Sequence, residues 1–174
     1  MNNIKLSKIW QSKKINISTK VKLYKSLVTS IALYGCESWT LNSESERRIQ
    51  AFEMKCLRRI LGVSYRERKT NEYVWNKITS FVKDIDPLLK IVKTRKLKWF
   101  GHTVRHDTLS KTILQGTVPG GRKRGRPKKS WTNNIKEWTQ LDLPALLDKA
   151  QQRKEWRFIS LSPSGTPTVT QTKG

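Results

Sequence analysis

Residues 43–62 read SESERRIQAFEMKCLRRILG, and this stretch decides the fold class. Ser43 is followed three residues later by Glu46, the reciprocal pairing in which hydroxyl and carboxylate satisfy the orphan amides of a first helical turn. Ile49, Phe52, Cys56, Leu57, Ile60 and Leu61 then recur every three to four residues, and Gly62 is a natural stop. Arg47, Arg48, Lys55, Arg58 and Arg59 occupy the other faces. The pattern predicts a helix that is apolar on one side and cationic elsewhere.

The same periodicity extends in both directions. Upstream, a helix is expected from Ser18 or Thr19, with Val21, Tyr24, Leu27, Val28, Ile31 and Leu33 as its apolar stripe and Gly35 as its end. The connection Gly35–Thr40 should turn Trp39 back into the core. Downstream, a basic loop at Tyr65–Lys69 leads to a shorter helix from about Asn71, with Val74, Trp75 and Ile78 inward. Asp86-Pro87 reads as cap and first position of a long helix through Leu88, Leu89, Ile91, Val92, Leu97, Trp99 and Phe100, which Gly101 interrupts without ending. Ser130 should cap a helix containing Trp131, Ile135 and Trp138. Pro144 should open a last one with Leu146, Leu147, Ala150 and Trp156.

Strand signals are weak throughout, so the fold class is mainly α: a small helical bundle, then a basic linker, a C-terminal helical segment and a disordered tail. The expected divisions are a basic lead-in at 1–17, a helical domain at 18–108, a Gly/Pro/Arg arm at 109–130, the C-terminal helices at 131–159 and a Ser/Thr/Pro-rich tail at 160–174.

Charge narrows the function. The 174 residues carry 36 Lys and Arg against 13 Asp and Glu, a formal charge of +23. Such a field repels itself unless a polyanion neutralises it, and nucleic acid is the commonest one inside cells. The charge is also gathered, since Lys90 to Ser130 holds thirteen basic residues against Asp107 alone, +12 of the +23. Lys90, Lys93, Lys96 and Lys98 are expected on exposed faces of the long helix. Between Lys90 and Lys98 the sequence has no Asp or Glu of the kind that a merely solvated face would bring. The arm adds Arg122, Lys123, Arg124, Arg126, Lys128 and Lys129, and its Arg124-Gly125-Arg126-Pro127 core is of the kind that lies in a narrow A·T minor groove. A nonspecific phosphate arm or a nuclear localisation signal fits the same residues. Trp99, Trp131, Trp138 and Trp156 could stack on bases, but their helical spacing favours core packing.

Catalytic chemistry is hard to place here. Two-metal phosphoryl transfer needs converging carboxylates, and no Asp-Asp pair occurs; Asp84 and Asp86 come nearest, and Asp86 is better read as a helix cap. His102 and His106 are spaced to share a helical face but have no third ligand nearby except Asp107. Cys36 and Cys56 lack metal or disulfide spacing and read as reduced, structural thiols. No metal, cofactor or catalytic residue is therefore assigned. No stretch approaches the roughly 18 apolar residues of a spanning helix. The start of the chain lacks an apolar signal region, so a nuclear or cytoplasmic location without membrane partners is expected.

Three runs carry a resemblance: Leu23-Tyr24-Lys25-Ser26-Leu27-Val28, Leu33-Tyr34-Gly35-Cys36-Glu37-Ser38-Trp39-Thr40, and Ala51-Phe52-Glu53-Met54-Lys55-Cys56-Leu57-Arg58-Arg59-Ile60-Leu61-Gly62. They look like the region after the polymerase palm in non-LTR (LINE-type) retrotransposon endonuclease-reverse transcriptases. Leu97-Lys98-Trp99-Phe100-Gly101-His102, the stretch Gly121–Trp131, and Lys154-Glu155-Trp156-Arg157 resemble the C-terminal part of the same proteins. The likeness covers about residues 9 to 158.

It implies a thumb and post-thumb piece whose endonuclease, fingers and Mg2+-dependent palm lie upstream, and whose partners are template-primer nucleic acid, DNA or RNA, and that missing polymerase. Arg58, Arg59, Lys96 and Lys98 would then contact the backbone, and Arg122–Lys129 the target DNA or element RNA. Some relatives carry a C-terminal zinc knuckle; this chain has no such cluster. A standalone architectural DNA binder using an AT-hook-like arm, and a pseudogene-derived fragment without function, are the competing readings.

Overall fold

The computed structural model describes residues 8–106, 109 and 129–162. The chain is mainly helical, and no strand occurs among the described residues. None of the described helices is long and apolar enough to cross a membrane. The expected arm, with Arg122, Lys123, Arg124, Arg126 and Lys128, and the tail beyond Ser162 lie outside the described residues.

Two compact units form, and their boundaries differ from the expected divisions. Of the described residues, one unit comprises those up to Tyr34 and 43–88; the other comprises 35–42 and those from Leu89 onward. The long helix, expected to belong with the first helices, instead groups with the C-terminal ones.

In the first unit, α1 starts at Ile17–Leu23, where Asn16 caps it by accepting from the Thr19 amide at 2.7 Å. It continues as a π-helical stretch, Tyr24–Thr29, and a last turn, Ser30–Ala32, before Gly35 takes a left-handed conformation at φ 64°. The π stretch changes the phase of the helix, because its wider turn brings every fourth or fifth residue into line. Tyr24, Thr29 and Leu33 are buried as a result, whereas Leu27 and Ile31, expected in the stripe, are exposed, Ile31 by 53%.

α2 spans Ser43–Leu61 and α3 spans Asn71–Phe81, the latter capped by Thr70, whose hydroxyl accepts from the Tyr73 amide. Val21 and Tyr24 pack with Leu57, Ile60, Val74 and Ile78 as the core. Phe52 was expected inward on α2 and is exposed. The inward position one residue further along belongs to Glu53, which is buried and accepts from the Leu88 amide at 3.0 Å. Glu53 thus satisfies the first amide of α4, Leu88–Arg105, directly after Asp86-Pro87, the expected cap and first position. Burial pushes the Glu53 carboxyl up to about 7 although the Leu88 amide favours the charged form.

In the second unit, α4 runs unbroken through Gly101. α5 is Trp131–Thr139, α6 is Leu143–Gln151 with Asp142 as its cap, and α7 is Arg153–Leu161. The single last helix expected from Pro144 onward is therefore two, broken at Gln152 in an extended conformation (φ −83°, ψ 91°). After the break, Trp156 lies buried with its Nε1 donating to the Leu97 carbonyl at 2.8 Å and its ring 5.3 Å from that of Phe100. Gly101 makes this approach possible, because an added Cβ would land on Cδ1 and Nε1 of the Trp156 indole.

Two outcomes test this account. A carboxyl whose folded pKa lies above its unfolded value near 4.3 contributes most when protonated, so that contribution is lost as pH rises from about 4.3 through about 7. Urea unfolding of Glu53→Gln and the wild type across that range should differ in slope, by on the order of 2 kcal/mol end to end. Gly101→Ala, which helix propensity alone would favour by roughly 1 kcal/mol, should instead destabilise by about 1–3 kcal/mol in thermal or chemical denaturation.

Candidate nucleic-acid interface

The cations chosen from the sequence fall into distinct environments. On α4, Leu89, Val92, Lys93, Lys96, Leu97 and Phe100 are all buried, a face wide enough to include both lysines. Lys93 and Lys96, expected on exposed faces, are therefore interior. Side-chain type suggested solvent, but the helical register put them on the packed side. Lys93 reaches its ammonium to 5.3 Å from the Trp138 ring centroid.

Lys96 is 0% exposed. Its Nζ donates to the Trp39 carbonyl at 2.7 Å and to Asn134 Oδ1 at 2.8 Å, and it stands 4.5 Å from the Trp131 ring centroid. Two acceptors and aromatic faces accommodate an ammonium that water no longer solvates. Burial, with Lys129 adding to it and Glu137 opposing, still draws Lys96 down to about 7. It cannot reach a phosphate from this position.

The remaining candidates divide further. Lys98 is exposed on α4, and Arg59 is exposed on α2. Lys90 is half-buried. The guanidinium of Arg58 donates to the Lys69 carbonyl at 3.0 Å and to Asn71 Oδ1 at 2.8 Å, so it braces the chain before α3. Lys129 pairs with Glu137 at 2.6 Å. Arg153, Lys154 and Arg157 on α7, not singled out from the sequence, are exposed. A signal was present in Arg153-Lys154-Glu155-Trp156-Arg157, since the near neighbours of one buried position leave a helix in other directions, as Lys154 and Arg157 do.

The tryptophans are structural. Trp138 and Trp156 are buried, and Trp131 donates from Nε1 to the Glu37 carbonyl at 2.8 Å while meeting Trp99 edge-on at 5.3 Å. Trp39, expected to plug the core, is half-buried and contributes its carbonyl to Lys96. The rings of exposed His102 on α4 and exposed His106 just past its end lie 4.3 Å apart. Among the described residues, no group of three or more His, Cys, Asp or Glu could hold a metal ion. Both cysteines are free thiols, and burial pushes each above its usual range.

Replacing Lys96 should therefore act on stability. Lys96→Ala leaves the Trp39 carbonyl and Asn134 Oδ1 without that donor, and a loss of about 3 kcal/mol in chemical unfolding is expected. Lys98→Gln, on the exposed side, should stay within about 0.5 kcal/mol of the wild type.

No family model matches the chain, and no solved structure matches it. Over 149 residues it is 31% identical to an uncharacterized transposon-derived protein of Caenorhabditis elegans, a match covering 80% of this chain and 53% of that protein. The chain thus spans about half the length of the curated relative it matches. That likeness supports a transposon origin for the chain.

Proposed function

We propose that the chain is the noncatalytic nucleic-acid-binding part of a LINE-type reverse transcriptase, gripping the backbone of template-primer or target nucleic acid while chemistry proceeds on a palm elsewhere in the parent protein. The observation that carries this reading is the excess of 36 basic over 13 acidic residues. Acids offset part of this charge: among the described residues Glu44 pairs with Arg47 and Arg48, Glu137 with Lys129, and Glu155 with Lys149. A helical scaffold with exposed Arg59, Lys98, Arg153, Lys154 and Arg157, joined to the Arg122–Lys129 sequence, suits contacts to phosphate rather than to base edges. The similarity to a transposon-derived protein agrees with a retroelement source.

On this reading the chain itself holds no catalytic residue or cofactor. The Mg2+ of polymerisation would belong to the parent polymerase, and the work would take place in the nucleus or cytoplasm. Binding should be micromolar or tighter, with log K falling linearly against log salt at about −0.9 per phosphate neutralised on duplex DNA. A salt-titrated series with DNA duplex, RNA–DNA hybrid and single strands measures this. Replacing Arg122, Lys123, Arg124, Arg126, Lys128 and Lys129 with Gln should weaken binding and flatten the slope. A wild-type affinity that does not respond to salt would sink the proposal.

A further inference from the structure

The turn between α2 and α3 is braced more heavily than a connection requires, and it holds an aromatic ring in water. Tyr65–Glu67 forms a 3-10 turn in which the Ser64 amide donates to Glu67 Oε1 at 2.8 Å and the Ser64 hydroxyl accepts from the Arg66 amide at 3.4 Å. Arg68 closes it in a left-handed conformation at φ 48°, uncommon for a residue with a Cβ. Arg58 then clamps the exit through Lys69 and Asn71, and Thr70 fixes the start of α3.

What this turn presents is Tyr65, 96% exposed, with Arg66, Arg68 and Lys69 also exposed beside it. The pattern continues onto α3. The Lys69 ammonium lies 5.0 Å from the ring centroid of exposed Tyr73, and that of Lys77 lies 5.6 Å from exposed Phe81. Tyr73, Lys77 and Phe81 follow one another at four-residue spacing and so share an edge of the helix. Of the two acids between Tyr65 and Lys83, the carboxylate of Glu67 is engaged inside the turn, which leaves Glu72 against five basic residues.

A single exposed tyrosine is ordinary. Rings alternating with cations on a pinned backbone are a different arrangement, since each ring offers a face and each cation a counter-charge. A duplex hides the faces of its bases, whereas an unpaired strand offers faces and phosphates in alternation. We infer that the Tyr65–Lys69 turn and the Tyr73–Phe81 edge of α3 form a stacking surface for single-stranded nucleic acid. An unpaired base lies on Tyr65, and Arg66, Arg68 and Lys69 hold the adjoining phosphates. This inference rests on the nucleic-acid reading given above and names the form of the partner at one surface.

The test uses the full chain, a labelled single strand of about 15 nucleotides without self-pairing, and a duplex of the same sequence, with affinities read by fluorescence anisotropy over a salt series. Tyr65→Ala should weaken single-strand binding on the order of tenfold while leaving duplex affinity and the single-strand salt slope unchanged. Tyr65→Trp, which keeps a stacking face, should restore binding. Because the Tyr65 side chain lies in solvent, both variants should keep the wild-type unfolding midpoint. Single-strand affinity of Tyr65→Ala within about twofold of the wild type, or an equal loss on duplex, overturns the stacking surface alone. Failure of the wild type to bind any strand overturns the wider reading with it.

Discussion

Asn134 holds the second unit together by treating a loop as if it were a strand. Its Nδ2 donates to the Leu41 carbonyl at 2.7 Å and its Oδ1 accepts from the Leu41 amide at 2.8 Å, so one side-chain amide satisfies both backbone groups of a buried residue. The same Oδ1 accepts from Lys96, which ties the Trp39 carbonyl into the network. Residues 35–42 are thereby fixed against α4 and α5 despite having no regular structure beyond the short 3-10 turn Cys36–Ser38. Backbone groups buried without such partners would each cost a desolvation penalty, so the fit of these side chains is what allows an irregular segment to be interior.

Burial of Lys93 and Lys96 also changes how the charge should be understood. A count along α4 gives a row of lysines, yet part of that row faces tryptophan rings and carbonyls within the second unit. Lysine can do this because its stem packs as hydrocarbon while the ammonium finds acceptors. Arg58, half-buried, spends its guanidinium bracing a turn. The excess positive charge of the chain persists, but it is carried outward by other residues, among them Arg59 and Lys98 and the exposed arginines of α7. Any polyanion meets those groups first.

The first unit is organised by a similar exchange of roles. Glu53 stands on the buried face of α2 and reaches the first amide of α4, where the positive end of a helix suits an acceptor. The π stretch Tyr24–Thr29 turns Leu27 and Ile31 outward and Thr29 inward. Both features depart from simple amphipathic reading.

Periodicity and punctuation alone determined much of this protein. The helices at Ser43–Leu61, Asn71–Phe81, Leu88–Arg105 and Trp131–Thr139 follow apolar spacing, Pro87 and Ser130, and the charge follows composition, because these are properties of local sequence. Tertiary structure decided the rest. Whether Lys96 faces phosphate or tryptophan, whether Leu27 keeps to its stripe, where Trp156 packs after the break at Gln152, and which segment Asn134 holds all depend on residues far away in the chain. Helical spacing fixes the angle at which a side chain leaves its axis, and only the neighbour that meets it there settles whether it is buried, bonded or left in water.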